Sequence, residues 1–599
     1  MLVSPVGFTA EKVPLLAQQD VAPFGLTRTW FHQIKVLSEK SRVNEVLLEG
    51  GQMFLTTSDA QLHVLDANTG QWLWTRGLGS RDQGIVSAPA VNSKVVAVSN
   101  GLQLYILGRR TGKLLYQVAL PTAVSAPAQI SENYIYVPLG NETIHVIILK
   151  RVSDPRNAVA NLPPISIAAN KRIDDPALAK VVKQFEEAKE SIMAKAPKAA
   201  DETDILIDDT HRIPITCVSM GALRTKPTLS YQLFAPTLDT ETKPSENKAA
   251  TEKTDEKTED EKDKKTVHCE YLSWATETGY LFTAAIDNLS EEQMSLRYRV
   301  NSAAQTYYID NSRTYHREMP GRRAILTSPS VSQMIPANDQ DVNAVRMPSI
   351  LVTGGKASYA FAVETLTGNV MWQFPSRGQL IAPIGIIGRD VYAPVSNQTS
   401  KGGMHHFDIF TGIAMIEENS DGSRKSRPVE EIEKEFWFTP NVSQFIASSK
   451  ERLYVLDSSK HLVVLDKITG SPLFRFDARQ FDRCLFNDET DQIFLITGKG
   501  LIQCLRERQP VENGSVGEND NTPLRHRLSC AEYADITLGK PAPKLWWEDT
   551  LPPPKSAEKN VETDSDEEDS SESQTESDEK SEDETDEQPE PESEEEEEK

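Results

Sequence analysis

Cysteine is scarce in this sequence, and its spacing excludes two kinds of small stabilised fold. The 599 residues contain 5 cysteines, at positions 217, 269, 484, 504 and 530. They are odd in number and widely separated, and no two form a CxxC pair. A disulfide framework and a structural zinc site are therefore not expected.

Basic charge is also in short supply, because 64 Lys and Arg face 89 Asp and Glu, for a net charge of -25. Residues 556–599 hold 23 acidic and 3 basic side chains, so this tail carries -20 and the other residues only -5. Nucleic-acid binding normally requires a basic patch or stripe. We therefore expect no nucleic-acid partner.

Long apolar runs are absent as well. No stretch approaches the roughly 18 apolar residues that a membrane-spanning helix needs. The first residues lack a basic region, and Glu11 and Lys12 interrupt the only apolar segment that could serve as a signal peptide. The sequence alone therefore predicts a soluble, cytoplasmic protein without a membrane span.

What the chain does contain is a repeat of short β-strands. Each copy has an apolar strand, then a polar turn ending in Thr-Gly, then an aromatic or aliphatic residue close behind. The copies span 62–74, 104–116, 360–372, 405–416 and 462–474, with a degenerate sixth at 271–282. Their glycines, expected at one common turn position with positive φ, are Gly70, Gly112, Gly279, Gly368, Gly412 and Gly470.

The spacing of these glycines favours one four-stranded propeller blade per copy. Gly70 and Gly112 are 42 residues apart, and Gly368 and Gly412 are 44 apart, within the roughly 40–50 residues of a propeller repeat. A second recurrent element precedes the strands and begins an inner strand with proline. It occurs as SAPAV at 87–91, SAPAQI at 125–130, TSPSV at 327–331 and IAPIGI at 381–386.

Together, the Asp-x-x-Thr-Gly-x-x-x-Trp turn and the Ser-Ala-Pro element resemble the PQQ-like, or quinoprotein-like, β-propeller repeat. That family includes quinoprotein alcohol dehydrogenases and the propeller lipoprotein of the outer-membrane β-barrel assembly machinery. The resemblance covers roughly residues 26–508. It implies an all-β propeller much more firmly than it implies an activity, and it keeps a periplasmic or cell-envelope location open.

We predict about eight four-stranded blades, with seven as the alternative. Seven of the blades are placed near 44–76, 86–119, 124–165, 213–285, 324–376, 380–418 and 444–477. The eighth combines 482–506 with an N-terminal strand around 29–36, which closes the ring and removes exposed sheet edges. Residues 286–323 are left either as strands of a blade or as decoration.

The remaining segments are predicted by composition. The predicted divisions are an N-terminal extension 1–25, the propeller 26–508, a C-terminal extension 509–551 and a disordered acidic tail 552–599. Within the propeller, 171–212 is a helical insertion whose helix covers 174–198, and 239–265 is a disordered charged loop. The helix stripe predicts either packing on a blade or docking of a partner. The tail predicts either a solvated arm or a binding segment for a basic partner, with a kinase target at Ser565 to Glu568.

Motifs that would carry chemistry are weak. GGKAS at 354–358 resembles half of a phosphate-binding loop but has Ala357 where a hydroxyl is needed, so it is assigned to a turn. His405 and His406 are neighbours on one strand and point to opposite faces. Trp74 and Trp372 occupy the recurrent aromatic position and are expected to pack between blades.

We therefore predict a non-enzymatic, monomeric propeller that serves as a platform for protein partners, bound through its loops and through the 174–198 helix. No catalytic, cofactor-binding or metal-binding residue is assigned, and no cofactor is expected. The alternatives are an alcohol or sugar dehydrogenase that uses pyrroloquinoline quinone (PQQ) with Ca²⁺, and a carbohydrate-binding or lyase propeller.

Overall fold

The fold is taken from a computed structural model. Apart from gaps of one to five residues, it describes residues 15–151, 215–234, 267–285, 295–301, 324–336, 345–396, 402–426, 436–508, 522–533 and 543–550, together with 187, 205–207 and 306–308. The predicted helix 174–198, the charged loop 239–265, the tail from 552 and the site at Ser565 lie outside these residues, except for position 187.

Eight antiparallel sheets, each built on four strands, form the blades of a propeller. The described chain begins with a short helix α1 (Gln18–Val21), a 3₁₀ turn (Ala22–Phe24) and strand β1 (Leu26–Gln33), which belongs to the last blade. Blade 1 consists of β2 (Val43–Glu49), β3 (Gln52–Thr57), β4 (Gln61–Asp66) and β5 (Trp72–Gly77). After a 3₁₀ turn (Arg81–Gln83), blade 2 consists of β6 (Ala90–Val91), β7 (Val95–Asn100), β8 (Gln103–Gly108) and β9 (Leu114–Ala119).

The next two blades carry a fifth strand each. Blade 3 consists of β10 (Gln129–Ile130), β11 (Tyr134–Pro138), β12 (Thr143–Arg151), β13 (Ile205–Ile207) and β14 (Ile215–Val218). Blade 4 consists of β15 (Thr228–Phe234), β16 (Val267–Ala275), β17 (Tyr280–Ala285), β18 (Ser295–Asn301) and β19 (Thr306–Tyr308).

Two blades are interrupted by small separate hairpins. Blade 5 consists of β20 (Ser330–Val331), β23 (Ile350–Gly354), β24 (Tyr359–Glu364) and β25 (Val370–Pro375), with the hairpin β21 (Ile335–Pro336) and β22 (Val345–Met347) between its first two strands. Blade 6 consists of β26 (Gly385–Ile387), β27 (Asp390–Val395), β28 (Gly403–Asp408) and β31 (Phe438–Pro440), with the hairpin β29 (Ile416–Glu418) and β30 (Arg424–Ser426) before its last strand.

The two ends of the propeller chain meet in one sheet. Blade 7 consists of β32 (Val442–Ser448), β33 (Arg452–Asp457), β34 (His461–Asp466) and β35 (Pro472–Asp477). Blade 8 consists of β36 (Arg483–Cys484), β37 (Ile493–Ile496), β38 (Leu501–Glu507) and β1, with Leu26 opposite Glu507 and Gln33 opposite Leu501. A 3₁₀ turn (Trp546–Thr550) follows. The predicted eight blades and their closure by an N-terminal strand are confirmed.

The blade ranges predicted from sequence are wrong for blades 3, 4 and 6; blade 4 begins at β15 and not near residue 213. The outer strand of blade 3 is β14, which pairs with β12 across the insertion, and not a strand before residue 165. The outer strand of blade 6 is β31, well beyond residue 418. Both strands follow an insertion, and local periodicity carries no information about pairing across one. In the undecided stretch 286–323, β18 is the outer strand of blade 4.

The apolar core lies in the seams between neighbouring blades. One cluster joins Phe54, Val64 and Trp74 of blade 1 to Val96 and Leu107 of blade 2, all buried. Each blade therefore buries both faces of its middle strands, and the seams hold the ring together.

The repeated Thr-Gly turn connects the third and fourth strands of a blade. In blade 1 the Gly70 N–H donates to the Asp66 carbonyl at 2.8 Å, and Asp66 Oδ1 accepts from the Thr69 N–H at 2.8 Å. Gly70 has a φ of +70°, a value that strains any residue with a Cβ. The glycines at 112, 368, 412 and 470 share both features, with φ between +56° and +74° and the N–H bonded four residues back.

A tryptophan from the preceding blade lies flat on four of these glycines. Trp30 lies on Gly70, Trp74 on Gly112, Trp372 on Gly412 and Trp437 on Gly470; a Cβ on the glycine would come within 2.3–2.7 Å of the ring. The indole N–H of each then donates to the carbonyl three residues before the glycine, as from Trp74 to Arg109 at 2.9 Å. The prediction that Trp74 and Trp372 pack between blades is confirmed.

Gly279 does not belong to this set, and its assignment to the common turn position is wrong. It lies between β16 and β17, the second and third strands of blade 4, and its N–H donates to Thr276, three residues back. The aromatic residue also follows Gly279 after three residues and not four. Its φ is nevertheless +88°.

Blade 1 offers a matched pair of glycines that separates backbone strain from contact with the ring. Gly51 has a φ of +73°, but a Cβ there would meet only Asn68 Nδ2 at an ordinary contact distance of 3.8 Å, whereas Gly70 lies under Trp30. We expect Gly51→Ala to reduce the free energy of unfolding by about 1–2 kcal/mol. Gly70→Ala should cost about 1–3 kcal/mol more, because the ring must move. Urea unfolding of both variants measures this, and equal losses would show that ring contact contributes nothing.

Candidate functional site: the central channel

The central channel contains a cavity of about 350 Å³ that runs along the inner strands. Its wall comes from β2, β6, β10, β15 and β20, and from residues next to β26 and β36. Pro227, Pro329 and Pro383 lie where inner strands begin, and Glu49 and Asp488 lie where inner strands end. The cavity therefore extends between the two faces of the ring.

One end of the channel is covered by the chain itself. Residues 522–533 and 543–550, here called the C-terminal clasp, pack on blades 6, 7 and 8 and contribute Arg527, Leu528 and Tyr533 to the cavity wall. The Tyr533 ring stacks on Tyr231 of blade 4, with centroids 4.6 Å apart. The clasp thus bridges blades on opposite sides of the ring.

A buried ion pair anchors the start of the clasp. Arg506 Nε lies 2.8 Å from Asp491 Oδ2, and the two side chains are 4% and 2% exposed. The same pair also binds the clasp backbone, since Asp491 Oδ1 accepts from the Leu524 N–H at 3.0 Å and Arg506 donates to the Thr522 carbonyl at 2.6 Å. Removing either partner of such a pair would leave the other charge buried and uncompensated, which strongly destabilises a fold.

His526 fixes the second part of the clasp on blade 7. Its Nδ1 accepts from the Trp546 indole N–H at 2.5 Å, so its proton is on Nε2, which donates to the Ser448 carbonyl at 2.9 Å. Burial, followed by the charge of Lys467, lowers the pKa of His526 to about 3. The Trp547 indole N–H donates to the His526 carbonyl. Its ring lies on Gly388 of blade 6, in a tryptophan–glycine contact like those between blades.

Arg527 enters a cluster of three carboxylates at the covered end of the cavity. Its guanidinium lies 3.1 Å from Glu489 Oε1, 3.2 Å from Asp488 Oδ1 and 3.5 Å from Glu49 Oε2. Glu489 Oε1 also accepts from the Gly50 N–H at 3.2 Å. Burial, followed by the charge of Glu49, raises the pKa of Glu489 to about 7, although Arg527 opposes the shift.

The residues considered for chemistry from the sequence lie away from this cluster. His405 packs between Phe374 and Phe438, and His406 between Tyr392 and Trp437, on opposite faces of β28 as predicted. Residues 354–358 are the end of β23 and its connection to β24. Cys484 and Cys504 are buried free thiols.

Sequence reasoning did not find the clasp. Its signals are weak: Leu528, Leu545 and the Trp546–Trp547 pair stand in a polar segment beyond the last repeat. Within the described part of the chain, no group of three or more His, Cys, Asp or Glu side chains is arranged to hold a metal ion. The described helices also include none long and apolar enough to cross a membrane.

Long connections leave mainly from the face that carries the clasp. In an antiparallel blade, connections between first and second strands and between third and fourth strands emerge on one face. The four longest connections of this kind are 152–214 in blade 3, 235–266 in blade 4, 332–349 in blade 5 and 409–437 in blade 6. The other face carries one long connection, 309–329, and otherwise short ones.

Residues 34–147, which include blades 1 and 2, match the family described as outer membrane protein assembly factor BamB. Three solved structures are similar at low identity. BamB from Moraxella catarrhalis is 10% identical, covers 81% of this chain and 98% of its own, and has a TM-score of 0.42. Sqt1 from Saccharomyces cerevisiae is 7% identical, with 80% and 98% covered and a TM-score of 0.43. The computationally designed Ika8 protein is 12% identical, with 78% and 97% covered and a TM-score of 0.40.

No curated protein sequence matches the chain. The match over 34–147 confirms the resemblance to PQQ-like propeller repeats, and the sheets themselves establish the fold. The described residues thus form an eight-bladed β-propeller, and residues 34–147 resemble PQQ-like repeats.

The buried pair beneath the clasp yields a stability prediction. Asp491→Ala should lower the free energy of unfolding by about 3–5 kcal/mol, because Arg506 would stay buried without its partner. Asp82→Ala is the control, since Arg81 and Asp82 are 69% and 84% exposed and lie 3.7 Å apart. It should cost no more than about 1 kcal/mol. Similar losses in thermal or urea unfolding would contradict the anchoring role of Asp491.

Glu489 yields a pH prediction. With its pKa near 7 in the folded chain, Glu489 keeps a proton that the unfolded chain releases, so it lowers stability as pH rises from about 4.5 to 7. Glu489→Gln removes this effect. The stability of the variant relative to the native chain should therefore increase over that range, by roughly 1–3 kcal/mol.

Glu532→Gln is the matched control for this pH series. Burial alone would raise the pKa of Glu532, but hydrogen bonds from Arg525 and Ser529 lower it. The ionised Glu532 therefore stabilises the folded chain at pH values above the ordinary carboxyl pKa, and this stabilisation is lost only in more acidic solution. The difference between this variant and the native chain should therefore be flat between pH 5 and 7, as estimated from ordinary carboxyl values. A flat difference for Glu489→Gln as well would refute the shifted pKa.

Proposed function

We propose that this propeller is a non-enzymatic platform for protein–protein interaction. The observation that carries the proposal is the clasp, which covers one end of the channel and engages the cluster of charges there with its own Arg527. A rigid ring of this kind presents loops at fixed positions, which suits recognition without chemistry.

The loop face is the proposed docking surface. Four long connections and the clasp belong to it, and the predicted 174–198 helix lies within the connection that leaves blade 3 there. Binding loops are commonly concentrated on one face of a rigid scaffold. The partner is therefore expected to contact several blades at once.

The alternative, oxidation of an alcohol or sugar by PQQ, is less well supported by the residues of the channel. The carboxylates of that quinone require cationic partners, and its metal requires free oxygen ligands. At the covered end the one guanidinium of Arg527 already lies against three carboxylates. These residues do not fit an anionic quinone, and no catalytic step is assigned to them.

Incubation with PQQ and Ca²⁺ tests the choice between platform and enzyme. The purified full chain should show neither saturable quinone binding nor dye-linked oxidation of simple alcohols or aldoses, because the groups that would hold the quinone are committed to the clasp. Absorbance titration and a dye-reduction assay measure both. Turnover by the native chain that is lost in Asp488→Asn would contradict the platform proposal and support the oxidoreductase alternative.

Deletion of 174–198 tests the platform itself. Tagged full chain and the deletion variant are purified from the native host, and bound proteins are identified by mass spectrometry. We expect the variant to keep its β-rich circular dichroism spectrum while losing partners that the full chain retains. An identical set of partners for the two chains would show that the helix does not contribute to the docking surface.

The same preparations give the oligomeric state, which we expect to be monomeric. Cell fractionation tests the expected cytoplasmic location against an envelope location.

A further inference from the structure

The clasp closes the channel through a cluster of charges that do not balance. Arg527 of the clasp lies within 3.5 Å of a carboxylate oxygen of Glu49, of Asp488 and of Glu489. In a partly desolvated setting, like charges at such distances repel one another more strongly than they do in water. The contact between clasp and ring is therefore least favourable when all three carboxylates are ionised.

The charged groups on the surrounding elements reduce this excess without removing it. Arg109 of blade 2 reaches the same place, where its guanidinium donates to the backbone carbonyls of Glu49 and Gly50. Even with Arg109 counted, three carboxylates face two guanidinium groups. His526 is buried and uncharged, since both of its ring nitrogens are hydrogen-bonded as neutral imidazole. The nearby ion pairs are matched within themselves: Arg506 with Asp491, and Arg525 with Glu532.

Glu489 is the carboxylate best placed to take up a proton. Its side chain is 8% exposed, against 10% for Glu49 and 29% for Asp488. Burial, followed by the charge of Glu49, raises the pKa of Glu489 to about 7. A proton on Glu489 leaves two carboxylates facing two guanidinium groups, so the cluster is then balanced. When the clasp lifts, Glu489 meets water and its pKa falls toward the ordinary carboxyl value. The closed clasp thus holds a proton that the open clasp releases.

The clasp is joined to this cluster by its backbone as well as by Arg527. The His526 N–H donates to the Glu489 carbonyl at 2.7 Å, and Arg525 pairs with Thr490 in an isolated β-bridge. Leu528, next to Arg527, lines the cavity. Ionisation of Glu489 therefore acts on the part of the clasp that covers the channel.

We propose that the cluster makes the clasp a pH-sensitive latch over the end of the channel. Segment 522–533 closes the channel in mildly acidic solution and opens more readily as the solution becomes alkaline, which uncovers the cavity. The latch controls access to the channel and does not involve the long loop connections. It can therefore fail or succeed independently of the proposed docking surface.

Hydrogen exchange of the full chain, followed by mass spectrometry, measures the latch. Peptides from 522–533 report its opening through N–H groups such as those of Leu524 and His526, which are bonded to the ring. Division of each rate by the intrinsic exchange rate at the same pH gives an opening constant. For a carboxyl with an ordinary pKa in the open clasp, this constant should rise about tenfold between about pH 6 and 8. Strand β33 of blade 7 is the reference, and its opening constant should be smaller at every pH because it requires unfolding of the ring.

Two variants and a control assign the titration. Glu489→Gln should abolish the rise in the opening constant, because an amide does not ionise. Asp488→Asn should move the rise to lower pH, since one negative charge that raises the pKa of Glu489 is lost. Glu532→Gln is the control: it loses its contacts with Arg525 and Ser529 within the clasp. It should open more readily at every pH and keep the native rise.

Four results would overturn the proposal. They are a flat opening constant in the native chain, an undiminished rise in Glu489→Gln, a rise at the native pH in Asp488→Asn, and equal opening constants for the clasp and β33. The last result would mean that the clasp opens only when the whole ring unfolds.

Discussion

The contact of a tryptophan ring with a glycine of the next blade is the constraint on which the rest of the structure depends. Four blade junctions share it, from blade 8 to 1, 1 to 2, 5 to 6 and 6 to 7. The glycine must adopt positive φ, must lack a Cβ and must leave a carbonyl three residues back for the indole N–H. At these four junctions the three demands set how closely the neighbouring blades can pack.

The sequence predicts this architecture well because the demands are local. Asp66, Thr69 and Gly70 lie within five residues, and Trp74 follows at a fixed distance, so the repeat can be recognised without the fold. Pairing across insertions cannot be recognised in this way, so the sequence does not predict that β14 and β31 are the outer strands of blades 3 and 6. For Gly279 the local sequence misleads, since its turn has a similar Thr-Gly sequence but connects the second and third strands of its blade.

The candidate site could not be predicted, because its partners are distant in sequence. Arg527 meets Glu49 and Glu489 only after the ring has closed and the clasp has packed beneath it. The pKa of Glu489 likewise depends on burial, which neither charge pattern nor composition reports. Composition draws attention to the acidic tail, yet the residues that cover the channel lie before it, where the polar sequence offers only Leu528, Leu545 and two adjacent tryptophans as a signal.

A rigid ring, a covered channel and a loop-rich face are consistent with recognition, and all of them rest on the junctions between blades. The most direct test is a double-mutant cycle on Trp437 and Gly470. In the native background Gly470→Ala should cost clearly more than backbone strain, whereas after Trp437→Ala it should cost only the roughly 1–2 kcal/mol of that strain. The same cost in both backgrounds would mean that ring and glycine do not interact, and would contradict the account.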